Sequence, residues 1–288
     1  MSLSLRAVLP AHSPFGGLTE LPSCSSPHCP RPATLWQRWW ARHEGIWLQE
    51  RWYCSAGCFF SGLYRRLEQA ALTRPRSVAR PNRVPLGLVL LARGDITSAQ
   101  LRQALEQQKK AGTGRIGEWL IRMGALSEQQ LTAGLAAQQR CPLLAPQQPQ
   151  WLVQRWYWPD SLVERYRAVP VVHNAAQSLL YVGFLDVVDH SFLYVLEQML
   201  RSRVQPCIVP GRVQVEYREL RRHNAEGNTV EIPQRQSSLE MTRTICNYAE
   251  QAHAERCLVG RCDDRLWIRL ESTLDVVLDL LFRLPTAS

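Results

Sequence analysis

Four of the nine cysteines stand in two close pairs, Cys24 with Cys29 and Cys54 with Cys58. Cysteine thiolates are soft ligands for Zn2+, and four of them close a tetrahedral structural site. The first pair lies in Ser23-Cys24-Ser25-Ser26-Pro27-His28-Cys29-Pro30, whose serines and prolines suit a tight knuckle. The second lies in Trp52-Tyr53-Cys54-Ser55-Ala56-Gly57-Cys58, where an aromatic strand gives way to a helix expected over 56–72. A thiolate in the first helical turn is favoured by unpaired N–H groups and the positive end of the dipole. Knuckle, hairpin and a pair at a helix start together predict a treble-clef-like zinc module over residues 18–72. Cys24, Cys29, Cys54 and Cys58 are its expected ligands, with His28 an alternative to Cys29. The competing reading is four buried free thiols. Zinc would supply on the order of 10 kcal/mol to a segment with little other core.

The elements around the cysteines are rich in tryptophan and arginine. Trp36, Trp39, Trp40, Trp47 and Trp52 crowd between the pairs, with Arg38, Arg42 and Arg51 interleaved. They read as the small module's core and docking face, with base stacking as the lesser alternative. The formal net charge is +9, and residues 1–83 carry 11 Arg against 4 acids. A basic segment can meet nucleic acid, acidic protein or anionic lipid, and it can equally be a solvated face. No stretch approaches the roughly 20 apolar residues that span a bilayer. The opening 1–17 lacks the apolar run of a secretory signal and reads as a disordered leader. A reducing, cytoplasmic setting is therefore expected, where cysteine pairs mean metal rather than disulfide.

A duplication with a shift of 30 residues fills 85–139. The first copy opens Pro85-Leu86-Gly87, passes Gly94 and Thr97, and continues through Leu101 and Leu105 to Gln108. The second opens Arg115-Ile116-Gly117, passes Gly124 and Ser127, and continues through Leu131 and Leu135 to Gln138. Each copy makes sense as a short helix, a glycine turn and a longer helix. Gly94 and Gly124 sit where a left-handed residue would end the first helix. Thr97 with Gln100, and Ser127 with Gln130, form the capping box that opens the second. Leucines four apart then give one buried face, and two such hairpins make a four-helix unit.

The tandem pattern Arg-Leu-Gly, apolar residues, Gly, then Leu-x-x-x-Leu-x-x-Gln resembles the N-terminal domain of type II secretion and type IV pilus-assembly ATPases. In the MshE-type branch of that family the tandem motif binds cyclic di-GMP. The resemblance implies ligand contacts at Arg115, Ile116, Gly117, Leu131, Leu135 and Gln138 in the second copy. In the first copy it implies Leu86, Gly87, Leu101, Leu105 and Gln108. Helix-start N–H groups at Gly87 and Gly117 would suit phosphate, and arginine can stack on guanine or fork onto its acceptors. Pro85 departs from the pattern, standing where arginine is expected. The fold tolerates it, since proline opens helices well, but half of the guanine recognition is put in question. Arg83 is the nearest substitute.

Beyond a Pro/Gln-rich joint at 141–150, residues 146–222 read as a small α/β sandwich subdomain. It has a helix over 159–166, strands over 169–173, 179–184 and 204–209, a helix from Asp189 to about Arg201, and a closing helix over 211–220. This order is similar to the second half of the same ATPase domain. A polar linker is expected over 223–236, then a helix over 237–252 and a hairpin whose strands, 256–262 and 265–271, meet at Asp263-Asp264. Cys257 and Cys262 would face opposite sides of a strand, so no second metal site is expected there. Together with a linker over 73–84, these segments predict an α+β multi-domain chain: zinc module, tandem repeat over 85–145, α/β subdomain, and a helix-plus-hairpin segment over 237–288.

A phosphate loop needs glycine followed by lysine and serine or threonine. The two lysines, Lys109 and Lys110, follow no glycine. No Ser/His/Asp set or carboxylate pair stands out either. The expectation is a non-catalytic regulatory or adaptor protein, with structural Zn2+, cyclic di-GMP as a possible ligand and protein partners in secretion or pilus machinery. A zinc-dependent nucleic-acid-binding regulator and a ligand-free scaffold are the alternatives. Membrane insertion is not expected.

Overall fold

The computed structural model describes residues 23–30, 45–72, 83–144, 156–174, 176–223, 229–272 and 277–284. The expected leader, Trp36, Trp39, Trp40, Arg38, Arg42 and most of both the 73–84 linker and the 141–150 joint lie outside them.

A six-stranded sheet organises the chain. Its strands are β1 (Ile46–Leu48), β2 (Arg51–Tyr53), β6 (Thr229–Ile232), β7 (Arg256–Cys262), β8 (Arg265–Glu271) and β9 (Val277–Arg283), in the order β2-β1-β7-β8-β9-β6. The central β7–β8–β9 meander is antiparallel, and its side chains alternate between two cores as a period of two requires. Cys257, Val259, Leu266, Ile268 and Leu280 point to one side, and Leu258, Cys262, Trp267 and Leu281 to the other. Cys257 and Cys262 are therefore separated by the sheet, as their odd spacing implied.

The cysteine segment and the C-terminal segment, separate modules by sequence, are joined in the structure. β1 runs parallel to β7, with Trp47 opposite Arg256 and Leu48 opposite Cys257. The backbone N–H groups of Trp47 and Gln49 donate to the carbonyls of Glu255 and Cys257 at 2.8 and 2.9 Å. Helices α1 (Ala56–Leu72) and α9 (Ser238–Gln251) cover that face. The 223–236 segment is likewise not all linker. Thr229–Ile232 forms β6, parallel to β9, with Val230 and Ile232 against the core and Glu231 outward. Two apolar residues in a polar run gave little sequence signal, and the partner edge of β9 supplies the rest.

The opposite face is covered by the α/β unit. It holds α6 (Asp160–Tyr166), β3 (Ala168–Asn174), β4 (Leu179–Phe184), α7 (His190–Leu200), β5 (Arg203–Ile208) and α8 (Gly211–His223). β3 pairs antiparallel with β4, and β4 pairs parallel with β5 across the α7 crossover. Asp189 caps α7 by accepting the Phe192 N–H at 2.9 Å. Gly260 of β7 lets α7 approach closely, since a Cβ there would stand 2.8 Å from Val195 and 2.9 Å from Met199.

A buried ion pair ties the two layers. Arg269 and Asp279 lie opposite each other on β8 and β9 and form a fork, Nε to Oδ1 and Nη2 to Oδ2, both at 2.9 Å. Trp267 Nε1 adds a third hydrogen bond to Asp279 at 2.7 Å, and Arg269 donates on to the Tyr157 carbonyl. Every charge of this buried group is thus matched, which removes most of its desolvation penalty.

The tandem repeat forms α2 (Leu86–Ala92), α3 (Ser98–Ala111), α4 (Ile116–Arg122) and α5 (Glu128–Gln139). Leu90, Ile96, Ala104, Leu120 and Leu126 make its own core. Both expected capping boxes are present, Gln100 with Thr97 and Gln130 with Ser127. Gly94 and Gly124 adopt φ of 74° and 67°, the left-handed turn that ends each short helix.

Candidate functional site

The cysteine cluster is assembled by three pieces of backbone. Ser25 N–H donates to the Trp52 carbonyl at 2.9 Å, which fastens the 24–29 knuckle to the end of β2. Ser55 opens α1, its hydroxyl accepting the Cys58 N–H at 3.3 Å. The four Sγ atoms then lie within 4.8 Å of one another. Cys29 and Cys54 sulfurs are 3.4 Å apart, and Cys54 and Cys58 sulfurs 4.0 Å. Tetrahedral Zn–S bonds of ~2.3 Å imply sulfur separations of about 3.8 Å, so the donors fit the ion. No disulfide joins any two of them.

Electrostatics agree with that chemistry. Burial pushes the metal-free Cys54 thiol up to about 12, with hydrogen bonds to Cys29 and Cys24 adding to the shift. Burial also raises Cys24. At Cys58 burial pulls upward, but hydrogen bonds from Ser55, Cys24, Cys29 and Ser26 bring the net value below normal. A divalent cation is the group that lets all four sulfurs ionise together. His28 is exposed and outside the cluster, so Cys29 completes the four-sulfur set. Trp52 is buried in the neighbouring core and Trp47 packs on it, which suits a core role rather than base stacking.

The repeat has a near-twofold internal geometry. Gln108 Nε2 donates to the Gly114 carbonyl and Gln138 Nε2 to the Val84 carbonyl, both at 2.8 Å. Each motif's last glutamine therefore holds the chain just before the other motif's opening residue. Gly87 and Gly117 are buried, and a Cβ on either would stand 2.7 Å from Cδ1 of Leu101 or Leu131. They allow close packing under those leucines. Leu86, Ile116, Leu101 and Leu131 are half-buried.

The two copies differ in what surrounds them. Leu105 is 47% exposed, whereas its counterpart Leu135 is 9% exposed and packed into the α/β core. Pro85 holds the position before α2, and Arg115 the matching position before α4. Arg115 is exposed and reaches out of the repeat to an ion pair with Asp186, on the loop after β4. Arg167, after α6, approaches the same Oδ2 at 2.6 Å. Arg83 donates to the Val188 carbonyl of that loop at 3.3 Å, and Gln139 Oε1 accepts the Val188 N–H at 3.4 Å. Arg115 and Gln139 of the repeat, with Arg83 just before it, thus grip the 185–189 loop from three positions. Nothing in the local spacing of Arg167 and Asp186 marks them in the sequence.

No family model matches the chain, and no curated protein matches it. Among solved structures, MshE with cyclic di-GMP is similar at 28% identity, covering 48% of this chain and 99% of that one, with a TM-score of 0.38. Among the described residues no helix is long and apolar enough to cross a membrane.

Proposed function

We propose that the protein is a non-catalytic regulatory or adaptor protein of a secretion- or pilus-type system, working in the cytoplasm, with a structural Zn2+ and a tandem repeat that senses cyclic di-GMP. The observation that carries this reading is the sharing of one carboxylate, Asp186, by two guanidinium groups, Arg115 and Arg167. Two cations share the Asp186 carboxylate at the opening of α4, while the Glu118 carboxylate is held on the Arg115 backbone N–H. A phosphodiester of the ligand can replace the carboxylate there, while arginine stacks on or forks to guanine. The paired motifs, each clamped by the other's glutamine, match a ligand that is itself two-fold symmetric.

In this reading Asp186 is the resting occupant of the site. Ligand binding releases it, and with it the 185–189 loop that the repeat holds. The signal then passes into the α/β unit through β4 and α7, which flank that loop. A ligand-free scaffold is the second reading, favoured by Pro85 and by the burial of Leu135.

Fluorescence anisotropy with labelled cyclic di-GMP decides between them. Saturable binding that unlabelled cyclic di-GMP displaces and GTP does not supports a sensor. Absence of binding at micromolar protein concentrations supports the scaffold.

A further inference from the structure

On the far side of the cysteine cluster lies a cleft of ≈ 690 Å³ that no residue of the repeat lines. Its volume falls within the range of small-molecule sites, about 300–1,000 Å³. Four arginines surround it: Arg51 on β2, Arg65 and Arg66 on α1, and Arg201 at the end of α7. Tyr53 forms part of the floor. Gly62 permits this, since a Cβ there would lie 2.4 Å from the Tyr53 ring.

The charge in the cleft is not internally balanced. Among the described residues no carboxylate lies within ion-pair distance of Arg51, Arg65 or Arg66. Glu197 accepts the Val204 N–H at 3.0 Å, and Glu50, with its side chain 80% exposed, only approaches Arg201 at 3.9 Å. Glu68 of the same helix is engaged by the Tyr64 hydroxyl.

The walls are also fixed before any ligand arrives. Gln49, at the tip of the β1–β2 hairpin, holds a left-handed φ of 56°. Its side chain donates to the Val259 carbonyl at 2.8 Å, pinning the lip of the cleft to β7. Ser25 and Pro27 of the knuckle close one end, held by the cysteine cluster. Preset walls lower the ordering cost of binding.

We propose that this cleft binds a phosphate-bearing small molecule of nucleotide size. Guanidinium groups fork onto phosphate oxygens, and here four of them line one concavity of small-molecule size, which suits a compact polyanion. Gln49, Gln69 and Gln198 line the same space. The site is separate from the repeat, so it stands or falls independently of cyclic di-GMP sensing.

The test is calorimetric titration of the zinc-loaded full chain with ATP and, separately, with pyrophosphate. The variants are Arg65→Ala/Arg66→Ala, Arg51→Ala and, away from both sites, Arg212→Ala on α8. All four substituted side chains are exposed, and thermal melts report whether each variant is folded. We expect sub-millimolar binding of at least one probe, weakened tenfold or more in the α1 double variant and in Arg51→Ala, and unchanged in Arg212→Ala. No binding of either probe at millimolar concentration overturns the proposal. So does binding that the cleft variants leave intact, or tight binding confined to a single-stranded oligonucleotide.

Discussion

Arg115 and Asp186 form an ion pair across the boundary between the tandem repeat and the α/β unit, and Arg167 meets the same oxygen at 2.6 Å. The pair sits at the edge of solvent, with the Arg115 side chain 57% exposed, so it contributes at most about 1 kcal/mol to stability. Its importance is as a competitor. Asp186→Ala removes the internal anion, and cyclic di-GMP affinity is expected to rise about two- to fivefold with little change in melting temperature. Titration of the two proteins side by side checks this. An unchanged or weaker affinity would mean that Asp186 does not occupy the ligand's place.

Metal removal tests the cysteine cluster. The purified protein is expected to hold one Zn2+ per chain, and Cys54→Ser is expected to lose it. Because β1 pairs with β7, loss of the knuckle frees an edge of the main sheet as well as the module itself. Chelation should therefore lower the melting temperature of the whole chain and release four reactive thiols. Uptake requires displacement of the thiol protons, so zinc affinity should fall as pH drops. Elemental analysis and thiol counting before and after chelation give the readout.

Much of this architecture is legible in the sequence where local rules and tertiary demands agree. The capping residues Thr97, Ser127, Asp189 and Ser237 mark helix starts that the structure keeps. Asp263-Asp264 marks the β7–β8 turn, with Asp263 at a φ of 52°. What could not be read is long-range pairing. Nothing in Ile46–Leu48 announces Arg256–Cys262 as its neighbour, and the weakly apolar Thr229–Ile232 becomes a strand only because β9 offers an edge. The same holds at the candidate site. Arg115 is visible in the repeat, but Asp186 and Arg167 are brought to it only by the fold. The contrast between Leu105 and Leu135 has the same cause: one motif faces solvent and the other faces the α/β unit.

Removing Asp279 is expected to be severe. Asp279→Ala leaves Arg269 buried and unmatched and orphans the Trp267 indole N–H, at a cost of about 3–5 kcal/mol. Urea denaturation measures it. A loss under 1 kcal/mol would mean that water reaches the site.

Two glycines should respond differently to alanine. A Cβ at Gly183 would meet Val209 at 2.5 and 2.9 Å and Val171 at 2.7 Å, stiff branched side chains within the core. Gly183→Ala should cost about 1–3 kcal/mol. At Gly117 the obstacle is the tip of the half-buried Leu131, which can turn aside. Gly117→Ala should cost less. Equal losses in denaturation experiments would contradict the packing described.

The most direct test of the sensing claim is calorimetric titration of the full chain with cyclic di-GMP, beside Arg115→Ala. Micromolar or tighter binding in the first, weakened at least tenfold in the second while both melt alike, is the predicted result. No heat of binding in the unsubstituted chain, or equal affinity in the two proteins, would contradict it.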